Sequence, residues 1–353
     1  MKKNEVLFDG LEEYMIALLR YGVLDENPTI LQPALQVDWD RMMDIASAQG
    51  ILAWVWDGIC KLPKEFQPPR QQSINWGLSA QEIWDRYNTQ KKVLRQMIDV
   101  CSQNNIRLLL FKGIALSEFY PHPESRPSSD IDIYLFEDYL RGDQLFAHEN
   151  VTRTKKRTGF DYNGVHIENH RVFLNAYTKI QKDAIDYLNE SLKDVIQTKD
   201  GYYIMSPLSC VVYQVMHFIA HIIDVSNPAS LRFILDIGMT LKNNRDEIDD
   251  NELCNILKRL GITKFFSIII GTEEFLLRQD FSQYKYEQVT ENEIKAMIRL
   301  AQRTNTFFIP VPQRSFTERV RFYISNINYY NIVLKYVPNM RNRFLKKAIE
   351  VIF

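Results

Sequence analysis

The stretch Arg107–Phe136, RLLLFKGIALSEFYPHPESRPSSDIDIYLF, decides the fold. An apolar run from Leu108 to Phe111 ends in Lys112-Gly113, a short helical pattern follows, and a proline- and serine-rich loop delivers Asp130-Ile131-Asp132-Ile133. Strand, glycine turn, short helix and second strand is the layout this spacing predicts. Side chains alternate across a strand, so Asp130 and Asp132 face one way and Ile131 and Ile133 the other, toward a core. Two rises of about 3.4 Å set the two aspartate Cβ atoms roughly 7 Å apart. Carboxylates so placed can share a pair of divalent cations, which two-metal sites hold about 3.5–4 Å apart. Gly113 stands where a strand becomes a helix. There the backbone can approach a phosphate closely and helix N–H groups can bind it, with Lys112 and Arg126 as nearby cations. The plainer alternative is a turn glycine beside aspartates that merely cap the chain or pair with arginines.

Downstream, Val151–Thr158 reads as a strand and Asn163-Gly164 as a hairpin turn. The following strand, from Val165 to Phe173, sets His166, Glu168 and His170 on one face, so a third carboxylate arrives near the first two. The same three residues raise a zinc reading, since imidazole is a common zinc ligand. On a strand, however, they do not form the helical HExxH motif, and no separate further ligand is evident. His217 and His221, one helical turn apart, read as polar packing or a second metal-binding pair. Arg232 and Asp236 are i,i+4 partners on a later helix and candidates to border the pocket.

The rest of the chain reads as helix. Asp9-Gly10-Leu11-Glu12 opens one, Asp38-Trp39 a second, Trp54–Ile59 marks a third, and Ile74–Asn104 a long fourth. A helix from Glu137 to about Glu149 covers the sheet, and Ser206-Pro207 and Leu231–Leu241 begin the helical C-terminal part. All five tryptophans lie between Trp39 and Trp84 and read as packing. The expected class is α+β, mostly helical, with a small mixed β-sheet core at 88–190 between helical regions at 1–87 and 191–353.

At 353 residues with a formal charge of −1, the chain carries no global field to draw it to nucleic acid or anionic lipid, and a long nucleic acid is an unfavoured partner. No apolar run approaches the ~20 residues of a membrane span, and the N-terminus lacks a signal-peptide pattern. Cys60, Cys101, Cys210 and Cys254 are scattered and read as reduced thiols, so the expected location is cytoplasmic. From Arg314 onward eight Lys/Arg stand against Glu318 and Glu350, a solvated basic face or a surface for an acidic partner.

The pattern LLLFKGIALSEFYPHPESRPSSDIDIYL, with the later Glu168-x-His170, resembles the uncharacterised nucleotidyltransferase family of the polymerase-beta-like superfamily. The resemblance extends to Trp39–Gly50 and to Leu231–Asp236. It implies that Asp130, Asp132 and Glu168 hold two Mg²⁺ ions, with Gly113, Lys112, Arg126 and Ser129 lining the NTP triphosphate. His170 then orients Glu168 or borders the pocket. The implied reaction moves an NMP from an NTP to an acceptor hydroxyl, on a small molecule or a protein, releasing pyrophosphate. The alternative is an inactive NTP-binding or regulatory protein, suggested by Ile114 where the superfamily has a small residue.

Overall fold

In the computed structural model of the protein, residues 10–28, 36–174, 179–223, 230–302, 315, 317 and 335–338 are described. The basic stretch from Arg314 lies almost entirely outside them, as do Asp9 and Asn227-Pro228. Twelve α-helices and one seven-stranded sheet are found among the described residues. In chain order they are α1 (Gly10–Leu24), α2 (Trp39–Ala48), α3 (Leu52–Cys60), α4 (Arg70–Gln103), β1 (Leu109–Phe111), α5 (Gly113–Ser117), β2 (Asp130–Tyr134), α6 (Tyr139–Phe146), β3 (Glu149–Arg153), β4 (Arg157–Tyr162), β5 (Val165–His170), α7 (Lys179–Glu190), β6 (Ile196–Gln197), β7 (Tyr203–Ile204), α8 (Pro207–Ile223), α9 (Leu231–Asn243), α10 (Asp250–Leu260), α11 (Thr263–Leu277) and α12 (Glu291–Gln302). The fold is therefore α+β and mostly helical, and no helix among the described residues is long and apolar enough to cross a membrane.

The chain forms two compact units, one of Met1–Phe173 with Ser191–Ser206, the other of Leu174–Glu190 with Pro207–Phe353. The first contains the whole sheet, ordered β3-β4-β5-β2-β1-β7-β6. β1 runs antiparallel to β2, and β2 runs parallel to β5, so the sheet is mixed. Asn163 and Gly164 both take positive φ, 49° and 80°, and join β4 to β5 in a two-residue hairpin with Tyr162 opposite Val165. Where one strand was expected over 151–158 there are two, β3 and β4, with Thr154 turning the chain back through its backbone bond to Arg157. The turn carries no glycine or proline, which hid it.

One face of the sheet is apolar. Leu110, Ile131, Ile133 and Ile167 pack with Val93, Leu94 and Met97 of α4 and Phe146 of α6 into one buried cluster. A buried polar network holds α6 onto that face. Asp143 accepts from Thr158 Oγ1 at 2.7 Å and from Asn169 Nδ2 at 2.9 Å, and Asn169 also donates to the Tyr139 carbonyl at 3.1 Å. Since Asn169 is fixed on this side, its neighbours Glu168 and His170 must face the other. Further from the sheet, α1 crosses α3 with backbones in contact. A Cβ at Gly22 or Gly58 would collide with the facing carbonyl of Trp54 or Leu18.

Among the described residues the regular elements of the second unit are all helices, with Val211, Val215 and Phe218 of α8, Ile234 and Leu235 of α9 and Phe265 and Ile268 of α11 fully buried. Among them sits an acid, Glu273 of α11, fully buried against Gly238 of α9, with neither carboxyl oxygen hydrogen-bonded among the described residues. Burial, reinforced by the negative charge of Asp236, raises its pKa well above 4.5. The folded protein thus binds a proton that the unfolded chain releases. That contribution to stability is full below the ordinary glutamate pKa and lost as pH rises through the raised folded value. Glu273→Gln is therefore expected to flatten the decline. The melting temperature of the variant should gain on the wild type steadily as pH rises above the ordinary glutamate pKa, as thermal unfolding followed by circular dichroism will show. A constant gap across that range would mean that Glu273 stays charged in the fold.

Candidate active site

The site lies on the face of the sheet opposite α4. Leu109–Phe111 are all buried, and the chain then turns at once. Lys112 carries the turn at φ 59°, ψ −161°, a region that only glycine occupies at ease, and Gly113 follows at φ 30°. A non-glycine residue there stores on the order of 1–3 kcal/mol of strain. Gly113 has no side chain because Ser128 fills the space. A Cβ at 113 would sit 2.6 Å from Ser128 Oγ and 3.3 Å from the Asp130 carbonyl oxygen. The turn is thus pressed against the start of β2. Two buried residues brace it: Arg126 Nη1 donates to the Gly113 carbonyl at 2.7 Å, and Gln90 Nε2 of α4 donates to the Asp130 carbonyl at 3.3 Å.

Parallel pairing of β2 with β5 sets Asp130 opposite His166, Asp132 opposite Glu168 and Tyr134 opposite His170. Asp132, Glu168 and His170 each bring one ligand atom within 4.8 Å of the others, all three buried. His170 Nε2 lies 2.7 Å from Asp132 Oδ1 and 3.2 Å from Glu168 Oε2. Lys112 Nζ donates to the same Asp132 Oδ1 at 2.8 Å. Arg157 of β4 approaches Glu168 Oε1 at 3.0 Å. Phe111, Tyr134 and Phe173 form an aromatic floor, with the Phe111 ring edge-on to His170. Two carboxylates, an imidazole and the Lys112 ammonium therefore share one water-poor corner, with the half-exposed Arg157 guanidinium at its rim.

Asp130, one step up β2 on the same face, is held differently. Ser129 Oγ donates to its Oδ1 at 3.2 Å. Burial first, and then the charges of Asp132 and Glu168, push its carboxyl up to about 6. Burial acts the same way on Asp132, but Lys112 and His170 outweigh it and hold that carboxyl below its ordinary value. The site is electrostatically divided, with one aspartate firmly ionised and its neighbour easily protonated.

Asp132, Glu168, His170 and Lys112 are thus in direct contact, with Asp130, Ser129 and Gly113 alongside. Arg126 is turned onto backbone carbonyls. Ile114 is buried in the α4-side core rather than beside the site. His166 leaves the cluster, pairing through Nδ1 with Asp161 Oδ1 at 2.8 Å, so the His-x-Glu-x-His strand does not act as one ligand set. Arg232 and Asp236 lie on α9, in the second unit. On α8, His217 and His221 meet Nε2 to Nε2 at 3.0 Å, with His217 stacked on Tyr213. Arg157 was not foreseen. The Asn163-Gly164 turn fixes the register that sets it opposite His170, so the signal was present.

A strand–turn–strand carrying Asp-x-Asp, with an acid delivered by a parallel neighbour, is the layout that the resemblance to nucleotidyltransferases implies. The family model described as "Uncharacterised nucleotidyltransferase" matches residues 36–276, about two-thirds of the chain, and the chain belongs to that family. Searches of curated proteins and of solved structures find no match.

The strained turn makes a test of its own. In ordinary positions, replacing alanine by glycine weakens a protein by about 0.5–1 kcal/mol. At position 112 the order should reverse. Lys112→Gly is expected to be more stable than Lys112→Ala by about 1 kcal/mol, because only glycine relaxes this φ and ψ. Both variants lose the ammonium, so the difference in their urea midpoints reports the backbone alone.

Proposed function

We propose that the protein is a Mg²⁺-dependent transferase on a polymerase-beta-like core, moving an NMP from an NTP to an acceptor hydroxyl on a small molecule or protein and releasing pyrophosphate. The observation that carries this reading is the β2–β5 register, which sets Asp132 against Glu168 with Asp130 one step along and the Lys112-Gly113 turn at their side. The donor set suits a divalent cation. Asp132, Glu168 and His170 form a group that could hold an ion, and Asp130, one step along β2 on the same face, would add a carboxylate for the second ion expected of the family. Bound there, Mg²⁺ supplies charge neutralisation and lowers the pKa of the acceptor hydroxyl.

The chain's own residues do the remainder. Glu168, held by Arg157 and His170, is oriented to take the acceptor's proton. Lys112 and Ser129 supply donors to the triphosphate at the head of β2, and the aromatic floor keeps water from the ionic cluster. Arg126 braces the turn through the Gly113 carbonyl. The alternative of an inactive NTP-binding protein drew on Ile114. The Ile114 side chain is itself buried in the core.

Incubation with each α-³²P-labelled NTP, Mg²⁺ and cell extract is expected to give labelled acceptor and pyrophosphate. An Asp130→Asn/Asp132→Asn variant should leave both at background. Label equal in wild type and variant for every nucleotide would sink the enzyme reading.

A further inference from the structure

We infer that Lys112 is a resident counter-ion that occupies the cation site until a triphosphate draws it away, so that the metal binds well only together with the nucleotide. The inference rests on the proposed metal site and concerns its regulation. Three observations support it. Lys112 Nζ and His170 Nε2 converge on a single oxygen, Asp132 Oδ1, at 2.8 and 2.7 Å. A metal ion that takes this oxygen must displace one of them.

The two differ in freedom. The His170 ring is buried, set on a strand and packed edge-on to Phe111 with ring centroids 5.1 Å apart. The ammonium of Lys112 ends a four-carbon stem with several rotatable bonds, and its side chain is 15% exposed. It is the group that can leave. A buried ammonium parted from its carboxylate pays a desolvation cost unless it meets another anion. A triphosphate arriving at the neighbouring Gly113 turn is that anion. Cation and nucleotide therefore each favour the other, and by linkage the coupling is mutual.

The third observation is the backbone. Lys112 sits in a conformation where glycine would relieve strain, so the fold alone does not call for lysine there. The strained turn fixes where the stem begins, and the stem ends on the metal ligand. That combination gives the residue a task in the site rather than in the core.

Mn²⁺ serves as the probe, its free concentration read by electron paramagnetic resonance, with and without a non-hydrolysable α,β-methylene triphosphate. In the wild type the analogue should tighten Mn²⁺ strongly. Lys112→Met keeps the stem and removes the charge, and Lys112→Gly removes the charge while relaxing the backbone. Both are expected to bind Mn²⁺ alone on the order of tenfold more tightly than the wild type, and the tightening by the analogue should shrink by a similar factor. Lys112→Arg, which keeps a cation, should leave Mn²⁺ alone weak. Unchanged Mn²⁺ affinity in both Met and Gly variants overturns the counter-ion role while leaving the metal site standing. Failure of every form to bind Mn²⁺, even with the analogue, overturns the metal site and the counter-ion role with it.

Discussion

Everything at the site depends on the parallel pairing of β2 with β5. The pairing puts two carboxylates, Asp132 and Glu168, directly opposite each other on one face of a sheet whose other face is packed against α4 and α6. A slip of one residue in either strand would send its acid into that core and bring its isoleucines out, a loss of burial on one side and unpaired charge on the other. The register is therefore held from behind. Ile131, Ile133 and Ile167 fill the apolar cluster, and Asn169 is fixed by Asp143 and the Tyr139 carbonyl.

Having brought the acids together, the fold must balance them. It does so with groups from three different strands or turns: Lys112 after β1, Arg157 on β4 and His170 on β5. A buried carboxylate stripped of its partner is costly, and so is a buried lysine. The same cluster is consequently stable only when its charges are matched, whether by side chains or by an ion. This is the condition under which a site can exchange one cation for another without unfolding around the change.

Much of this was legible in the residues. The Asp-x-Asp strand, the turn before it, the Asn163-Gly164 hairpin and the acid at 168 each follow from period-2 alternation and turn chemistry, which act within a few residues. What escaped depends on contacts distant in sequence. β6 and β7 are two residues each, β6 exposed and β7 half-buried, so they carry no periodic signal; β7 exists because β1 offers an edge to pair with. The positive φ of Lys112 cannot be read from a lysine. Nor can the inward turn of Arg126, which is determined by where the Gly113 carbonyl falls. The burial of Ile114 was unreadable for a similar reason, since a helix of five residues shows too little period to say which side is the core.

The order in which the chain visits its two units has a practical consequence. After the sheet's fifth strand it enters the second unit to lay down α7, goes back to the first for β6 and β7, and leaves again at Pro207. No single cut separates the units. A break before α7 strands the sheet's last two strands on the wrong fragment, and a break after β7 carries α7 away from the helices it packs with. Limited proteolysis or genetic dissection at either point must therefore yield one incomplete piece, whichever unit is sought.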